Sequence, residues 1–97
     1  MKNFKEYYNK RPEYIVYYDK KSTEIRIYKK YENFFYIKKY LISNKTDVRS
    51  FEPSARVDFK SRLQLDYDYP KKYWKMVEMD KKTLMKKLGG ILTVGLI

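Results

Sequence analysis

The chain has 97 residues, and 23 Lys or Arg against 12 Asp or Glu give it a formal net charge of +11. This length predicts a single domain, 1–97, and the charge predicts a nucleic acid or an acidic protein surface as partner. The absence of Cys and His excludes disulfides, thiolate or imidazole metal sites and His-activated nucleophiles. We therefore expect no metal, no cofactor and no catalytic residue.

The N-terminal part predicts a short helix and then a β-hairpin. A helical face carries three aromatic residues ahead of a proline that ends it: Phe4, Tyr7, Tyr8 and Pro12. Residues 14–18 are apolar on both faces of a strand, and residues 23–29 alternate in polarity after a turn. In this second strand Arg26 and Tyr28 are predicted to face water.

Residues 34–43 fit two structures. The richness in aromatic residues favours a strand. The alternative is a helix that Asn33 caps, in which Phe34, Ile37 and Leu41 line up on one face.

Residues 56–69 alternate polar and apolar side chains, with a single exception at Ser61. A period of two predicts a strand with a dry and a wet face. Fourteen residues exceed the usual length of a strand, so a bend is expected around residues 60–62. The buried side chains are predicted to be Val57, Phe59, Leu63 and Leu65. The exposed ones are predicted to be Asp58, Arg62 and Gln64.

The C-terminal third predicts a helix from Pro70 to Leu88, with Trp74 on its dry side. Asp80 can interrupt this helix by capping a second one. Residues 91–97 are apolar throughout, which predicts a last strand in the sheet or an edge through which the protein forms a homo-oligomer. This segment is too short to span a membrane.

These elements predict an α+β fold. We expect a small antiparallel β-sheet of four to six strands, a C-terminal helix packed on one face and a short N-terminal helix. The first residues lack the apolar run of a signal peptide, so the expected location is cytoplasmic.

Basic and aromatic residues interleave along the chain, which is typical of a non-catalytic protein that binds the phosphates of DNA or RNA and stacks bases. Lys outnumbers Arg more than threefold, which argues against bidentate reading of bases. A solvated lysine surface over core tyrosines, or the codon bias of an AT-rich genome, gives the same pattern. The candidate nucleic-acid-binding residues are Arg26, Tyr28, Lys29, Lys30, Lys38, Lys39, Lys60 and Arg62.

Two other functions fit less well. A protein-binding inhibitor or assembly factor, encoded by a phage, an archaeal virus or a plasmid, would dock its basic face on an acidic target. The triplet from Asp58 to Lys60, with Asp47 upstream, is similar to a metal-dependent nuclease pattern. Charged neighbours are common on the wet face of any strand, so we do not expect an enzyme.

Overall fold

The computed structural model describes residues 4–21, 24–43, 47–50 and 55–88. The elements in chain order are α1 (Phe4–Asn9), β1 (Tyr14–Asp19), β2 (Glu24–Lys30), β3 (Phe34–Ser43), β4 (Asp47–Ser50), β5 (Ala55–Asp58), α2 (Arg62–Asp68), β6 (Trp74–Met79) and α3 (Lys81–Leu88). The strand order is β4-β3-β2-β1-β6, and β5 also pairs with β3. The described pairs are antiparallel, so the predicted α+β class is confirmed. The segment 91–97 lies outside the described residues.

Two short strands share the outer edge of β3. Residues 34–37 pair with β5, and residues 40–43 pair with β4. The strand prediction for 34–43 is therefore confirmed over the helical alternative. Alternate side chains of β3 face opposite sides of the sheet. Phe35 and Ile37 lie on one side, and Tyr40 lies on the other.

Both faces of the sheet carry a buried cluster, which explains why β1 is apolar on both sides. The first cluster packs against α1 and α2 and contains Tyr8, Ile15, Tyr17, Tyr28, Phe35, Ile37, Leu65 and Tyr69. The second cluster contains Tyr14, Val16, Ile25, Ile27, Tyr40, Met79 and, from α3, Leu84. The hairpin and the N-terminal helix are as predicted, with Tyr8 buried.

Residues 62–68 form α2, so the prediction that a strand continues here is wrong. The break at residues 60–62 is real, but Ser61 caps a helix there, since its Oγ accepts a hydrogen bond from the backbone N–H of Gln64 at 3.1 Å. Side chains four residues apart then support the helix. They pair Arg62 with Asp66 at 3.6 Å, and Gln64 with Asp68 at 3.0 Å.

The helix divides the residues that the strand pattern had placed together. Leu65 is fully buried and Tyr69 nearly so, whereas Leu63 is 75% exposed and Tyr67 80%. Positions i and i+4 share a face in a helix and also in a strand, so Leu65 and Tyr69 fit both patterns. Positions i and i+2 share a face only in a strand, and this is why the predicted burial of Leu63 was wrong.

The predicted helix from Pro70 is also wrong in its first half, because Trp74–Met79 forms β6 and pairs with β1. Trp74 was expected on the dry side of this helix, but in β6 it packs against the first cluster, and Val77 lies on the opposite face of the sheet. The interruption at Asp80 is confirmed, since its carboxylate accepts a hydrogen bond from the N–H of Thr83 at 2.7 Å and α3 starts there.

Candidate nucleic-acid interface

The eight candidate residues do not form one surface, because neighbours along a strand point to opposite faces. The face of the first cluster carries Arg26, Tyr28, Lys30 and Lys39, together with Lys60, which precedes α2, and Arg62, which begins it. The face of the second cluster carries Lys29 and Lys38. The paired lysines 29–30 and 38–39 are therefore split between the two faces.

Tyr28 was expected in water, and this is wrong. Its side chain is 3% exposed, and its hydroxyl lies 2.6 Å from the hydroxyl of Tyr69. Burial, then the proximity of Tyr69, raises the pKa of Tyr28 above its ordinary range. The ring faces the protein interior under α2, so it offers no face on which a base could stack.

Two of the expected cations hold the fold together. The ammonium of Lys30 donates hydrogen bonds to the backbone oxygens of Tyr8, at 2.5 Å, and of Arg11. Burial lowers the pKa of Lys30. Arg62 donates from Nη1 to Oε1 of Glu78 at 2.9 Å and so joins α2 to β6.

An aromatic and basic surface lies on the face of the sheet that carries the second cluster, near β5. We call it the edge patch, and it consists of Lys29, Tyr31, Phe34, Tyr36, Lys38 and Arg56. The rings of Tyr31 and Phe34 stack at 5.3 Å and 8°, and Tyr36 meets both edge-on at 5.1 and 5.4 Å. Tyr36 is 39% exposed.

The strand register places cations on both sides of these rings. Tyr36 pairs with Lys29 on β2 and with Arg56 on β5, so the three side chains form a row across the sheet. The Arg56 guanidinium lies 4.1 Å from the ring centre of Phe34. The Lys29 ammonium lies 5.1 Å from that of Tyr31. Both contacts have the geometry of cation–π pairs.

The candidate set included Lys29 and Lys38 but missed the other four members of the edge patch. Reading residues 34–43 as a strand already puts Phe34, Tyr36 and Lys38 on one side. Arg56 could not be added without the pairing of β5 with β3, which the sequence does not specify.

A second basic site opens on the face of the first cluster. We call it the cationic cleft, and its polar lining is Arg26, Lys39, Lys60 and Asp68, with Tyr28 and Tyr69 among its walls. Its volume is about 480 Å³. Four of the eight candidate residues meet here, namely Arg26, Tyr28, Lys39 and Lys60.

Arg26 and Lys60, two cations of the cationic cleft, each pair with a carboxylate. Arg26 donates to Glu24 at 3.1 Å, and its guanidinium lies 5.0 Å from the ring centre of Trp74. Lys60 donates to Asp68 at 2.9 Å, and this hydrogen bond lowers the pKa of Asp68.

The nuclease pattern is not assembled within the described residues. Lys60 pairs with Asp68, while Asp58 lies opposite Phe34 in the register of β3 and β5. No group of three or more acidic side chains is placed to hold a metal ion in the described part of the chain. Among the helices described, none is long and apolar enough to cross a membrane.

Comparisons with known protein families, with characterised proteins and with solved structures found no match.

Proposed function

We propose that this protein binds nucleic acid without catalysis, through the edge patch, inside the cell. The observation that carries the proposal is the row in which Tyr36 lies between Lys29 and Arg56 on one face of the sheet. An exposed aromatic ring can stack on a base, and the two cations beside it can contact the phosphates of the same strand.

The composition of the edge patch favours single strands over duplexes, because a base must leave its neighbours before it can stack on a protein ring. Stacking contributes about 1–3 kcal/mol per base and tolerates any base. Two of the three cations are lysines, which contact phosphates as point charges. Binding of this kind depends on salt and is indifferent to sequence.

The proposal is tested by fluorescence anisotropy with labelled single-stranded DNA, single-stranded RNA and duplex DNA. Tyr36→Ala should weaken binding to single strands about 5- to 150-fold, the equivalent of one lost stacking contact. Arg56→Glu should weaken it further by reversing a charge. Lys10→Glu is the matched control, because it makes the same change of charge at an exposed position after α1, on the opposite face.

Equal losses in Arg56→Glu and Lys10→Glu would show that only net charge matters and would contradict the assignment to the edge patch. Failure of the wild-type protein to bind any oligonucleotide at low salt would refute nucleic-acid binding. A pull-down that captures one partner protein after nuclease digestion would replace nucleic-acid binding with a protein-docking role.

A further inference from the structure

Strand β6 ends the described strand order, and within the described residues it pairs with β1 alone. The backbone N–H of Lys20 donates to the oxygen of Tyr73 at 2.9 Å, and these two residues are the next pair in the register of β1 and β6. Hydrogen-bonded and non-hydrogen-bonded pairs alternate along an antiparallel ladder. This bond therefore shows which residues of β6 turn their backbone groups toward β1.

The alternation leaves the outer edge of β6 with unused hydrogen-bonding groups. Lys75 and Val77 turn their N–H and C=O groups toward β1, while Met76 and Glu78 turn theirs away from it. In the described part of the chain, no backbone hydrogen bond satisfies the outward groups of Met76 and Glu78. They offer two donors and two acceptors to a further strand.

A groove lies between α2 and β6. Its volume is about 860 Å³, and its lining includes Arg62 and Asp66 of α2 and Trp74 and Met76 of β6. Trp74 and Met76 are half-buried and pack against the first cluster. A strand added to β6 places every second side chain on this face, so apolar side chains there would meet Trp74 and Met76.

Positive charge exceeds negative charge around this groove. Four cations line it against two carboxylates, and they are Lys20, Arg62, Lys71, Lys75, Asp19 and Asp66. Even with Glu78 counted, which pairs with Arg62 at 2.9 Å, the cations remain in excess by one. Lys75 is exposed and takes part in none of the described ion pairs. It lies on the face of the second cluster, because it pairs with Tyr18 of β1.

These features favour one kind of occupant. A second copy of a chain that carries a net charge of +11 would be repelled. A nucleic acid has no ladder of N–H and C=O groups with the repeat of a strand. An acidic peptide has both the ladder and the opposite charge.

We propose that β6 binds an extended acidic segment of a partner protein, which adds to the sheet as a further strand. The backbone of this segment pairs with Met76 and Glu78, and its apolar side chains enter the groove beside Trp74. Its acidic side chains lie beside Lys75 on the other face. The edge patch lies toward the opposite edge of the sheet, so this site does not rest on the proposed function.

The test is a titration with a synthetic peptide that alternates Val and Glu, followed by the fluorescence of Trp74, the one tryptophan of the chain. This peptide should change the fluorescence saturably, and a peptide that alternates Val and Lys should not. Lys75→Glu should weaken binding about 2- to 30-fold, because a favourable cross-strand pair becomes a repulsive one. Lys38→Glu is the matched control, because it makes the same change of charge on the same face of the sheet, with β2 and β1 between it and β6.

Lys38→Glu should keep the wild-type affinity for the acidic peptide. Equal losses in the two variants would show that only net charge matters and would overturn the proposal. No saturable change with the acidic peptide would refute the site.

Amide hydrogen exchange, measured by NMR, supplies a readout that attraction of charges alone would not move. In the free protein the N–H of Met76 should exchange faster than those of Lys75 and Val77, which are bonded to β1. Saturation with the acidic peptide should slow the exchange of Met76 and Glu78.

Two exchange results would overturn the proposal. If Met76 is as protected as Val77 in the free protein, the edge is already covered by the chain itself or by a second copy. If single-stranded DNA protects Met76 and the acidic peptide does not, the edge belongs to a nucleic-acid site.

Discussion

The hydroxyls of Tyr28 and Tyr69 lie 2.6 Å apart in the protein interior, although 41 residues separate them in the sequence. Tyr28 belongs to β2, and Tyr69 is the C-cap residue that follows α2. Tyr69 also stacks on Tyr17 of β1 at 3.9 Å and 12°. This one side chain therefore fixes the end of α2 to two strands of the sheet.

The pairing of the two hydroxyls predicts an asymmetry between single and double variants. Tyr69→Phe should lower the free energy of unfolding by about 1–3 kcal/mol, because it leaves the buried hydroxyl of Tyr28 without its partner. The double variant with Tyr28→Phe should recover part of that loss. Urea unfolding of the four proteins measures the coupling energy, and strict additivity would contradict the pairing.

Tyr14→Phe is the control for this cycle. The Tyr14 hydroxyl is buried and has no hydrogen-bond partner among the described residues. Its removal should leave the stability unchanged or raise it.

The two leucines of α2 should respond differently to truncation. Leu65→Ala should cost about 2–5 kcal/mol because Leu65 is fully buried. Leu63→Ala should change the stability by no more than about 0.5 kcal/mol, since Leu63 is 75% exposed. Chemical denaturation tests this contrast, and equal costs would restore the strand interpretation of this segment.

Lys30 should behave as a structural residue and not as a contact for nucleic acid. Lys30→Met should lower the thermal midpoint, because it removes the hydrogen bonds to the backbone oxygens of Tyr8 and Arg11. Lys38→Met, on the other face, should have the smaller effect on stability. The reverse order, measured by circular dichroism on heating, would contradict this role.

The buried tyrosines predict unfolding at alkaline pH. Burial, the largest cause, raises the pKa values of Tyr8 and Tyr14 to about 12, from an ordinary value of about 10. A raised pKa in the folded state contributes stability that is fully present below pH 10 and is lost as the pH rises toward 12. Circular dichroism should therefore report unfolding as the pH rises from 10 toward 12, together with the part of the phenolate absorbance that comes from the buried tyrosines. Complete phenolate formation in a protein that stays folded would contradict these pKa shifts.

The salt dependence of binding counts the cations that contact phosphate. The edge patch offers three, Lys29, Lys38 and Arg56, so the log–log slope for single strands should be about −2. If all seven cations of the sequence-based candidate set bound phosphates, the slope would be about −5. Anisotropy titrations over a range of salt concentrations distinguish these values, and the steeper slope would extend the interface beyond the edge patch.

The sequence by itself determined the elements whose periodicity admits one structure. In the hairpin, β1 is apolar on both faces and β2 alternates in polarity, and Asp80 starts a helix because its side chain can cap the N–H of Thr83. The charge and the aromatic content predicted surfaces on which cations and aromatic rings are mixed. These features are local, and they follow from neighbours along the chain.

Tertiary structure decided the rest, because local patterns become ambiguous where several partners compete. Residues 62–68 keep the strand period throughout, yet the cap at Ser61 and the packing of Leu65 made them a helix. The alternation of polarity in β2 predicts that Tyr28 faces water, but α2 lies over it. Residues 74–79 fit a helical stripe, yet β1 is apolar on both faces and pairs with them along its second edge. Which strands lie side by side, and so which cations and rings meet, depends on pairings between distant segments that no local pattern specifies.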